Sequence, residues 1–436
     1  MTLSETLPEN WQSPIAPGLS WYQATVTDRP IYSALDGSRS ADVAIIGGGY
    51  TGLQAAYNLA KAGTDVVLIE GSRIGDGASG RNGGQLGTGQ RWWPEEMEET
   101  LGYDRSKALF NLAERAKHQL LAFADEHGID IEYMPGQMNV AHKPGYKRSY
   151  VENAEIAAMR YDYPHMRFMD EAETHERLGS KRYFCGVRDM GTGHIHPLKL
   201  LVGLARMTQA AGASIFEMTR ATAIRQADGR TKIETANGTI TAEQVLVSCN
   251  GYIGNLEPVT ASHVMPIRSF IGATVPLERY PDVLPGSEAV ADSRFVVRYF
   301  RKSRDGRLLF GGREAYTSDN PRDIKQHIGR QIAELYPALR NIEITHAWGG
   351  TVGITLPRQP FVREVMPGVT SIGGYSGHGV MLSNYCGKLY ADAVLGRSAD
   401  LDLFKALDIP SFPGGARMRA PLLFLALTWF ALRDRF

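Results

Sequence analysis

The chain has 436 residues, with 47 basic and 47 acidic side chains and a formal charge of zero at neutral pH. This balance argues against a nucleic-acid partner bound by bulk charge, and the length allows a large core in about two or three domains. Cys185, Cys249 and Cys386 are widely spaced and include no C-x-x-C pair. We therefore expect neither a disulfide framework nor a metal site, and a reducing, cytoplasmic setting.

Residues 1–40 are predicted to form an N-terminal arm whose aromatic side chains dock on the rest of the chain. The stretch from Ala41 to Glu70 then predicts a dinucleotide-binding unit. An unbroken apolar run at residues 43–46 is typical of a strand buried on both faces. Three glycines, a helix, a second strand at residues 66–69 and an acid follow it. The glycines have the G-x-G-x-x-G spacing of such units: Gly47, Gly49 and Gly52.

Each part of this unit has a separate physical role. Gly47 permits the tight turn, Gly49 lets a pyrophosphate approach the backbone, and Gly52 lets the helix lie close to the strand. The N-terminus of the helix offers free N–H groups and a positive dipole end to phosphates. Glu70 stands where a carboxylate binds ribose hydroxyls, which favours NAD or FAD over NADP.

The next stretch, Gly71 to Arg91, is rich in glycine and too long to be a simple connection. Long loops beside a nucleotide site are usually functional, although a flexible surface loop remains the alternative. Two adjacent glycines would let the backbone approach a flat ligand. The residues of interest are Arg81, Asn82, Gly83, Gly84 and Gln85.

The remaining chain alternates between helical and strand patterns. Helices are predicted at 95–128, from Pro197 to about Ala211 and at 322–340. A strand or hairpin is predicted at 131–141, a hairpin at 296–301 and 308–312, and short apolar strands at 214–216, 245–248 and 369–372. His194 and His196 share one face of an extended segment, and we favour a structural role for them over a catalytic one.

These patterns predict an α/β protein with α+β insertions. A Rossmann-like nucleotide-binding domain is assembled from discontinuous segments, 41–91, 186–260 and 345–410. A β-rich substrate domain is built from 92–185 and 261–344, and residues 411–436 contain a C-terminal apolar helix. The cleft between the two domains is the expected ligand site.

A second glycine cluster follows the apolar strand at 369–372. Gly373, Gly374, Gly377 and Gly379 precede a helix that starts near Val380. This is a second helix N-terminus suited to negative charge, and the N1/O2 side of a reduced flavin is a group that needs one. A turn that merely lets the helix pack is the alternative. His378 lies in this turn, where proton transfer and structural support are both open.

The combination of IIGGGYTGL, GASGRNGGQ, GHIHP, GGYSGHGV and a late FPGG resembles the D-amino-acid-oxidase-like flavin amine oxidases. The nearest group is that of the gamma-glutamylputrescine oxidases. The resemblance runs from about Asp42 to Arg435, and it implies FAD in an extended form. The cofactor-binding residues that we expect are Gly47, Gly49, Tyr50, Thr51, Gly52, Glu70, Ser79, Arg81, Asn82, Gly83, Gly84, Gln85, Ala221, Asn250, Gly251, Gly374, Ser376, Gly377, His378, Gly379 and Val380.

Two departures from related sarcosine oxidases matter. Those enzymes tether the flavin through a cysteine, whereas the comparable stretch here, 348–351, has none. We therefore expect non-covalent FAD. They also bind the substrate carboxylate with a lysine where this chain has Met381. This favours a longer amine, or one without a carboxylate, over sarcosine.

The chemistry that the resemblance implies is removal of hydride from the carbon next to an amine. Hydrolysis of the imine gives an aldehyde and a free amine, and molecular oxygen reoxidises the flavin to give hydrogen peroxide. A low-dielectric pocket that lowers the pKa of the substrate ammonium would replace a dedicated base. The catalytic candidates are His378 as an assisting group and Arg81 as a cation beside the flavin.

The sequence leaves two other functions open: a flavin dehydrogenase that passes electrons to a membrane quinone, and a non-catalytic flavin-binding subunit. The first depends on residues 420–432, an apolar stretch with arginines on both sides. It is too short to span a bilayer, but it would suit weak contact with a membrane surface. A closing helix packed on the protein or on a second subunit is the favoured alternative. No secretory signal is expected.

Overall fold

The computed structural model of the chain describes residues 6–8, 10–315, 323–398 and 400–415, so the predicted apolar helix at 420–432 lies outside the described residues. The described strands are β1 (Gly37–Ile46), β2 (Val66–Ile69), β3 (Gln85–Leu86), β4 (Met134–Ala141), β5 (Met166–Met169), β6 (Cys185–His194), β7 (Ser214–Phe216), β8 (Ala221–Ala227), β9 (Arg230–Thr235), β10 (Gly238–Val247), β11 (Met265–Pro276), β12 (Ala289–Asp292), β13 (Tyr299–Lys302), β14 (Arg307–Ala315), β15 (Ile344–Ile354), β16 (Phe361–Met366) and β17 (Val369–Gly373).

The helices of the same residues are α1 (Trp21–Ala24), α2 (Tyr50–Lys61), α3 (Pro94–Leu101), α4 (Tyr103–Glu126), α5 (Lys147–Arg160), α6 (Glu171–Leu178), α7 (Pro197–Ala210), α8 (Pro258–His263), α9 (Ile324–Leu335), α10 (Gly379–Val394) and α11 (Asp402–Lys405). Short 3₁₀ turns lie at Ala78–Gly80, Pro144–Tyr146, Asn250–Tyr252 and Pro337–Leu339. None of these described helices is both long enough and apolar enough for a membrane span.

The first sheet runs in the order β16-β17-β10-β1-β2-β7, with the β8–β9 hairpin attached to the first half of β10. Strands β17, β10, β1, β2 and β7 are parallel. Along β1, Val43 and Ile45 enter the core shared with the helices, while Ala44 and Ile46 enter a separate core on the opposite face. A strand covered on both sides has no polar face, which explains its unbroken apolar sequence.

Helices α2, α7 and α10 pack on one face of the first sheet. The α2–α10 contact is very close, because a Cβ on Gly387 would lie 2.2 Å from the Thr51 carbonyl oxygen. Thr208 of α7 donates to the Leu53 carbonyl at 3.1 Å. The N-termini of α2 and α10 therefore lie side by side at the carboxyl ends of the parallel strands, the edge at which open α/β sheets bind ligands.

The second sheet runs in the order β15-β11-β14-β13-β12-β4-β6-β3, and β5 pairs with β6. Its pairings are antiparallel except between β12 and β4. Helix α9 contributes Ile328 and Ile332 to an apolar core with Phe300 and Phe310 of this sheet. This core is distinct from the two cores of the first sheet, as expected for a separate layer.

Two predicted helices have different limits in the structure. The single helix predicted at 95–128 is two helices, since Gly102 adopts φ +75° between α3 and α4. A left-handed residue interrupts the hydrogen-bond ladder, and glycine tolerates it at little cost. The helix predicted at 322–340 is the shorter α9, followed by the 3₁₀ turn at Pro337–Leu339. Proline at 337 explains the break.

Sheet membership differs from the predicted division of the chain in three places. Strands β3, β6 and β15 fall largely in segments that the sequence assigns to the nucleotide-binding domain, yet they hydrogen-bond within the second sheet. A strand pattern indicates which residues are buried, but it does not indicate the neighbour in the sheet. The domain boundaries themselves stay a prediction.

The N-terminal arm is anchored at several points before β1. Asp76 accepts hydrogen bonds from Arg29 at 2.8 Å and from the indole of Trp11 at 3.2 Å. Tyr22 is fully buried, and its ring lies 5.3 Å from that of Trp348 on β15. The arm therefore connects the loop after β2 to the second sheet.

Gly52 provides a test of the close packing around α2. A Cβ at this position would lie 1.9 Å from the Gly47 carbonyl oxygen. Gly52→Ala should lower the free energy of unfolding by about 2 kcal/mol or more, because overpacked cores typically lose about 1–3 kcal/mol, and it should lower the flavin content of the purified protein. Thermal denaturation and the flavin-to-protein absorbance ratio measure these two effects.

The control is Gly329→Ala in α9, where a Cβ would meet nothing within 4 Å. This change should leave the flavin content unaltered and raise stability slightly, because alanine is the better helix former. If both variants behaved alike, the close approach at Gly52 would have no energetic importance.

Candidate active site

A cavity of about 1510 Å³ lies where the first and second sheets meet. It exceeds the roughly 300–1,000 Å³ of a typical small-molecule site, so it has room for a large cofactor and a second molecule. The predicted cofactor residues that line it are Gly47, Gly49, Tyr50, Thr51, Glu70, Ser79, Arg81, Asn82, Gly83, Gly84, Gln85, Ala221, Asn250, Gly251, Ser376, Gly377, His378, Gly379 and Val380. Gly52 and Gly374 are not part of this lining.

The N-terminus of α2 provides a cradle that a side chain would fill. Gly47 adopts φ +117°, which other residues rarely tolerate. Gly49 is the N-cap, and a Cβ there would lie 2.9 Å from Ser79 Oγ. The cavity wall is therefore bare backbone at a positive helix end, which suits a pyrophosphate. Gly52 acts one turn later, by allowing α2 to approach β1.

Glu70 lies at the same end of the cavity, with its carboxylate held by backbone. Oε2 accepts from the Gly48 N–H and Oε1 from the Ser72 N–H, both at 2.8 Å. Burial raises the pKa of this carboxyl, and the two N–H groups oppose the rise. The position is compatible with binding a ribose hydroxyl, and that role stays a prediction.

The polar side chains of the glycine-rich loop chiefly hold the loop itself. Asn82 donates to the Ala78 and Ser79 carbonyls at 3.1 and 2.9 Å and accepts from the Gly84 N–H at 2.8 Å. Gln85 donates to the Val290 carbonyl of β12 at 3.0 Å. The Asn82 amide is thus engaged within the loop, and the Gln85 amide nitrogen is engaged with the second sheet.

Arg81 is buried and engaged with main-chain carbonyls. Its Nε donates to Gly349, and its Nη2 donates to Pro17 and Gly18, each at 2.6 Å. Desolvation lowers its pKa to about 10, so it remains charged at neutral pH. These bonds join the N-terminal arm, the loop and β15. Arg81 therefore positions these three segments relative to one another, and its role as a cation beside the flavin stays a prediction.

The start of α10 forms the part of the cavity wall next to the start of α2. Gly374 is outside the lining, and its N–H donates to Asn250 Oδ1 at 2.9 Å, which fixes the turn. Thr51 and Tyr375 share a hydrogen bond of 2.7 Å, which links this turn to the first turn of α2. Residues 377–380 are left facing the cavity at the helix N-terminus.

His378 packs against the glycine-rich loop. A Cβ on Gly87 would lie 2.3–2.5 Å from the imidazole, so only glycine at 87 admits the ring. Desolvation, with Arg91 and Lys117 nearby, lowers the pKa of His378 to about 4. The imidazole is therefore neutral at pH 7, and no group of the described protein hydrogen-bonds to Nε2. A base this weak is better suited to hydrogen bonding than to taking a proton from an alkylammonium.

The two histidines at the end of β6 have structural partners. His194 Nε2 shares a 2.8 Å hydrogen bond with the Ser287 carbonyl. His196 caps α7, where its Nδ1 accepts from the Lys199 N–H at 3.2 Å. Burial lowers both pKa values to about 3. These contacts support the structural role that the sequence favoured.

One polar cluster beside the cavity has no local sequence signal. Asp189 accepts from Thr88 Oγ1 at 2.7 Å and from the Tyr163 hydroxyl at 2.8 Å. The buried Lys117 donates to Thr88 at 3.2 Å and pairs with Glu114 at 2.8 Å. These residues belong to four separate segments, so spacing along the chain does not reveal them. The cluster supports the loop on which the His378 ring rests.

The two departures noted in the sequence have structural counterparts. Met381 is buried in the apolar core with α2 rather than in the cavity lining. Cys249 is the cysteine found in the lining, and burial raises the pKa of its thiol to about 12. A protonated thiol is a poor nucleophile, so nothing in the described lining favours a covalent tether.

The fold and the cavity define a dinucleotide-binding oxidoreductase with a second, mainly antiparallel sheet closing the site. Residues 42–393 match the family model DAO, described as FAD dependent oxidoreductase. The chain belongs to this family and is an FAD-dependent oxidoreductase acting on amines or amino acids. The α/β fold class, the resemblance and the FAD cofactor predicted from the sequence are confirmed.

Individual relatives cover nearly the whole chain. The chain is 67% identical over 426 residues to the probable oxidoreductase OrdL of Rhizobium meliloti (strain 1021), which covers 98% of this chain and 100% of that protein. It is 32% identical over 419 residues to the gamma-glutamylputrescine oxidoreductase of Escherichia coli (strain K12), with 95% and 98% covered. The crystal structure of glycine oxidase from Geobacillus kaustophilus matches with a TM-score of 0.71 at 23% identity, covering 85% of this chain and 100% of that chain.

His378 gives a pH dependence of stability with a defined sign. Its pKa in the folded protein is about 4, below the roughly 6.5 of an unperturbed histidine. The stability it contributes is present above pH 6.5 and is lost as the pH falls toward 4, because the unfolded chain takes up the proton first. In His378→Gln, the urea midpoint should therefore fall less steeply between pH 6.5 and 4 than in the unaltered protein.

The matched control is His118→Gln, since His118 is exposed on α4. Its urea midpoints should follow those of the unaltered protein at each pH. Equal slopes for the unaltered protein and His378→Gln would show that the imidazole is protonated as freely in the fold as in the unfolded chain.

Proposed function

We propose that the protein is an oxidase of primary or secondary amines, that gamma-glutamylputrescine or a related amine is its substrate, and that molecular oxygen is its electron acceptor. One observation carries the proposal. A single cavity is lined by the α2 cradle, the glycine-rich loop, the α10 N-terminus and residues of the second sheet. The 32% identity to an enzyme named for gamma-glutamylputrescine supports the substrate class.

Bound FAD would supply a two-electron acceptor, held by the residues of the cradle and the two helix N-termini. The residues of the chain would position the amine and exclude water. Tyr299 covers Gly83, where a Cβ would lie 2.9 Å from its ring, and its hydroxyl lies 3.2 Å from Ser269 Oγ. Both side chains line the cavity between the loop and the second sheet.

The amine must lose its ammonium proton before its neighbouring carbon can be oxidised. The wall around His378 favours this loss, because burial and nearby cations lower the pKa of a basic group there. The same physical causes would act on a substrate ammonium at this wall. We therefore propose that the amine binds at this wall in its neutral form, after releasing its proton to solvent water, with neutral His378 as a hydrogen-bond partner.

Anaerobic bleaching of the flavin tests the substrate class. The panel consists of polyamines, gamma-glutamylated amines, N-methyl amino acids and D-amino acids, each mixed with oxygen-free holoprotein. We expect gamma-glutamylputrescine or another long amine to bleach the flavin fastest, and aerobic turnover to release one hydrogen peroxide per amine consumed. Bleaching without peroxide in aerated buffer would identify a dehydrogenase. No bleaching by any amine would identify a non-catalytic flavin protein.

We also propose that the FAD is non-covalent and that the protein acts in the cytoplasm, where its three unpaired cysteines stay reduced. Acid precipitation should leave the yellow colour in the supernatant, because unfolding removes every contact that holds the cofactor. A visible-absorbance spectrum of the supernatant and of the redissolved pellet measures the partition. Colour retained in the pellet would demonstrate a covalent bond.

A further inference from the structure

The outer part of the cavity lies between α3 and α5. Trp93 precedes α3, Tyr150 lies on α5, and their rings are 6.2 Å apart. Glu95 in the first turn of α3 and Asn153 on α5 also line the cavity. This region, bounded by Trp93, Glu95, Tyr150 and Asn153, is called the outer pocket below. None of these residues belongs to the predicted cofactor site.

Two polar atoms in the outer pocket have no hydrogen-bond partner in the described protein. They are Glu95 Oε2 and Asn153 Oδ1. Asn153 is 2% exposed, and the Glu95 atom is buried although its side chain is partly accessible. An unsatisfied buried polar group costs about 1–3 kcal/mol, and more when it is charged. Such atoms in a cavity wall can accept hydrogen bonds from a ligand that donates them.

The neighbouring acids differ from Glu95 because they are already used. Glu96 accepts from the Trp93 N–H at 3.0 Å. Glu98 pairs with Arg160 at 2.8 Å, and Glu152 pairs with Arg148 at 2.7 Å. Burial and these three carboxylates raise the pKa of Glu95. A cation next to Glu95 would stabilise its ionised carboxylate against both burial and the repulsion of these carboxylates.

We propose that the outer pocket binds a second ammonium group of the substrate, remote from the carbon that is oxidised. Glu95 would accept its hydrogen bonds, with Asn153 as a further partner. The rings of Trp93 and Tyr150 would cover the methylene chain and offer their faces to the cation. A negative pocket with unused acceptors does not suit a carboxylate.

This inference rests on the proposed amine oxidase function and specifies which amines it takes. Two kinds of molecule carry the required group: a free diamine, with its distal ammonium, and a gamma-glutamylated amine, with its α-ammonium. Their shared chemistry is a long chain with an oxidisable amine at one end and an ammonium group at the other. The α-carboxylate of the second kind would have to lie outside the outer pocket.

The test compares Glu95→Gln with Glu99→Gln. Both changes remove one negative charge from α3, but only the first alters the carboxylate with an unpartnered oxygen, and Glu99 is exposed and outside the cavity lining. The substrates are two pairs: 1,4-diaminobutane with butylamine, and gamma-glutamylputrescine with its analogue lacking the α-amino group. In Glu95→Gln, the KM of the substrate with two ammonium groups should rise about tenfold or more in at least one pair, with kcat little changed.

The substrate with a single ammonium group should keep its KM in both variants, and Glu99→Gln should match the unaltered enzyme throughout. A rise confined to the first pair identifies a diamine site, and one confined to the second identifies the α-ammonium of a glutamyl group. The proposal would be overturned if Glu95→Gln changed the KM of both members of each pair by the same factor. It would also be overturned if the two variants changed KM equally. If Glu95→Gln does not fold, Glu95→Ala serves in the same comparison.

A binding measurement separates this inference from the proposed function. Calorimetry on oxygen-free holoprotein with reduced flavin records amine binding without turnover. Suppose that no amine is oxidised, but the substrate with two ammonium groups binds about tenfold more tightly than its analogue with one, and Glu95→Gln abolishes the difference. This result would refute the oxidase function and support the ammonium site. Oxidation of amines without such a difference in binding would support the oxidase function and refute the ammonium site.

Discussion

The arrangement of the whole site depends on the close approach of α2 to both β1 and α10. Gly52 allows the first contact and Gly387 the second, where a Cβ would lie 1.9 and 2.2 Å from carbonyl oxygens. Two helix N-termini are thereby placed at one edge of the parallel sheet, although their residues are more than three hundred positions apart. Two positive dipole ends in one cavity suit a cofactor with a pyrophosphate at one end and a ring that becomes negative at the other.

The second constraint is the connection between the two sheets. Arg81 donates to carbonyls of the arm and of β15, and Trp348 Nε1 donates back to the Arg81 carbonyl at 3.0 Å. A buried guanidinium without these acceptors would be costly, so the arm, the loop and the second sheet are stabilised together. The proposed cofactor and substrate regions of the cavity would then share one wall, the glycine-rich loop.

The sequence predicted the parts of this structure that are encoded locally. An apolar run with both faces buried, the spacing of Gly47, Gly49 and Gly52, and a glycine-rich helix start at 377–379 are each visible in a short window. Contacts between residues that are distant in the chain could not be predicted from the sequence. The pairing of β15 with β11 and the bonds of Asp189 to Thr88 and Tyr163 depend on the folded chain. From the sequence alone, Glu95 is only an acidic residue at the start of a predicted helix. That one of its carboxylate oxygens has no hydrogen-bond partner is apparent only in the folded structure.

The proposed outer pocket would let one molecule with two amines bind in a single orientation. The reacting amine must lose its proton, and the wall at His378 disfavours positive charge through burial and nearby cations. The remote amine can keep its proton, and the wall at Glu95 disfavours negative charge through burial and nearby carboxylates. The opposite electrostatic preferences of the two walls would orient the substrate. Specificity would then arise from the difference between the two walls, so that amines of similar length are separated by the number of charges they carry.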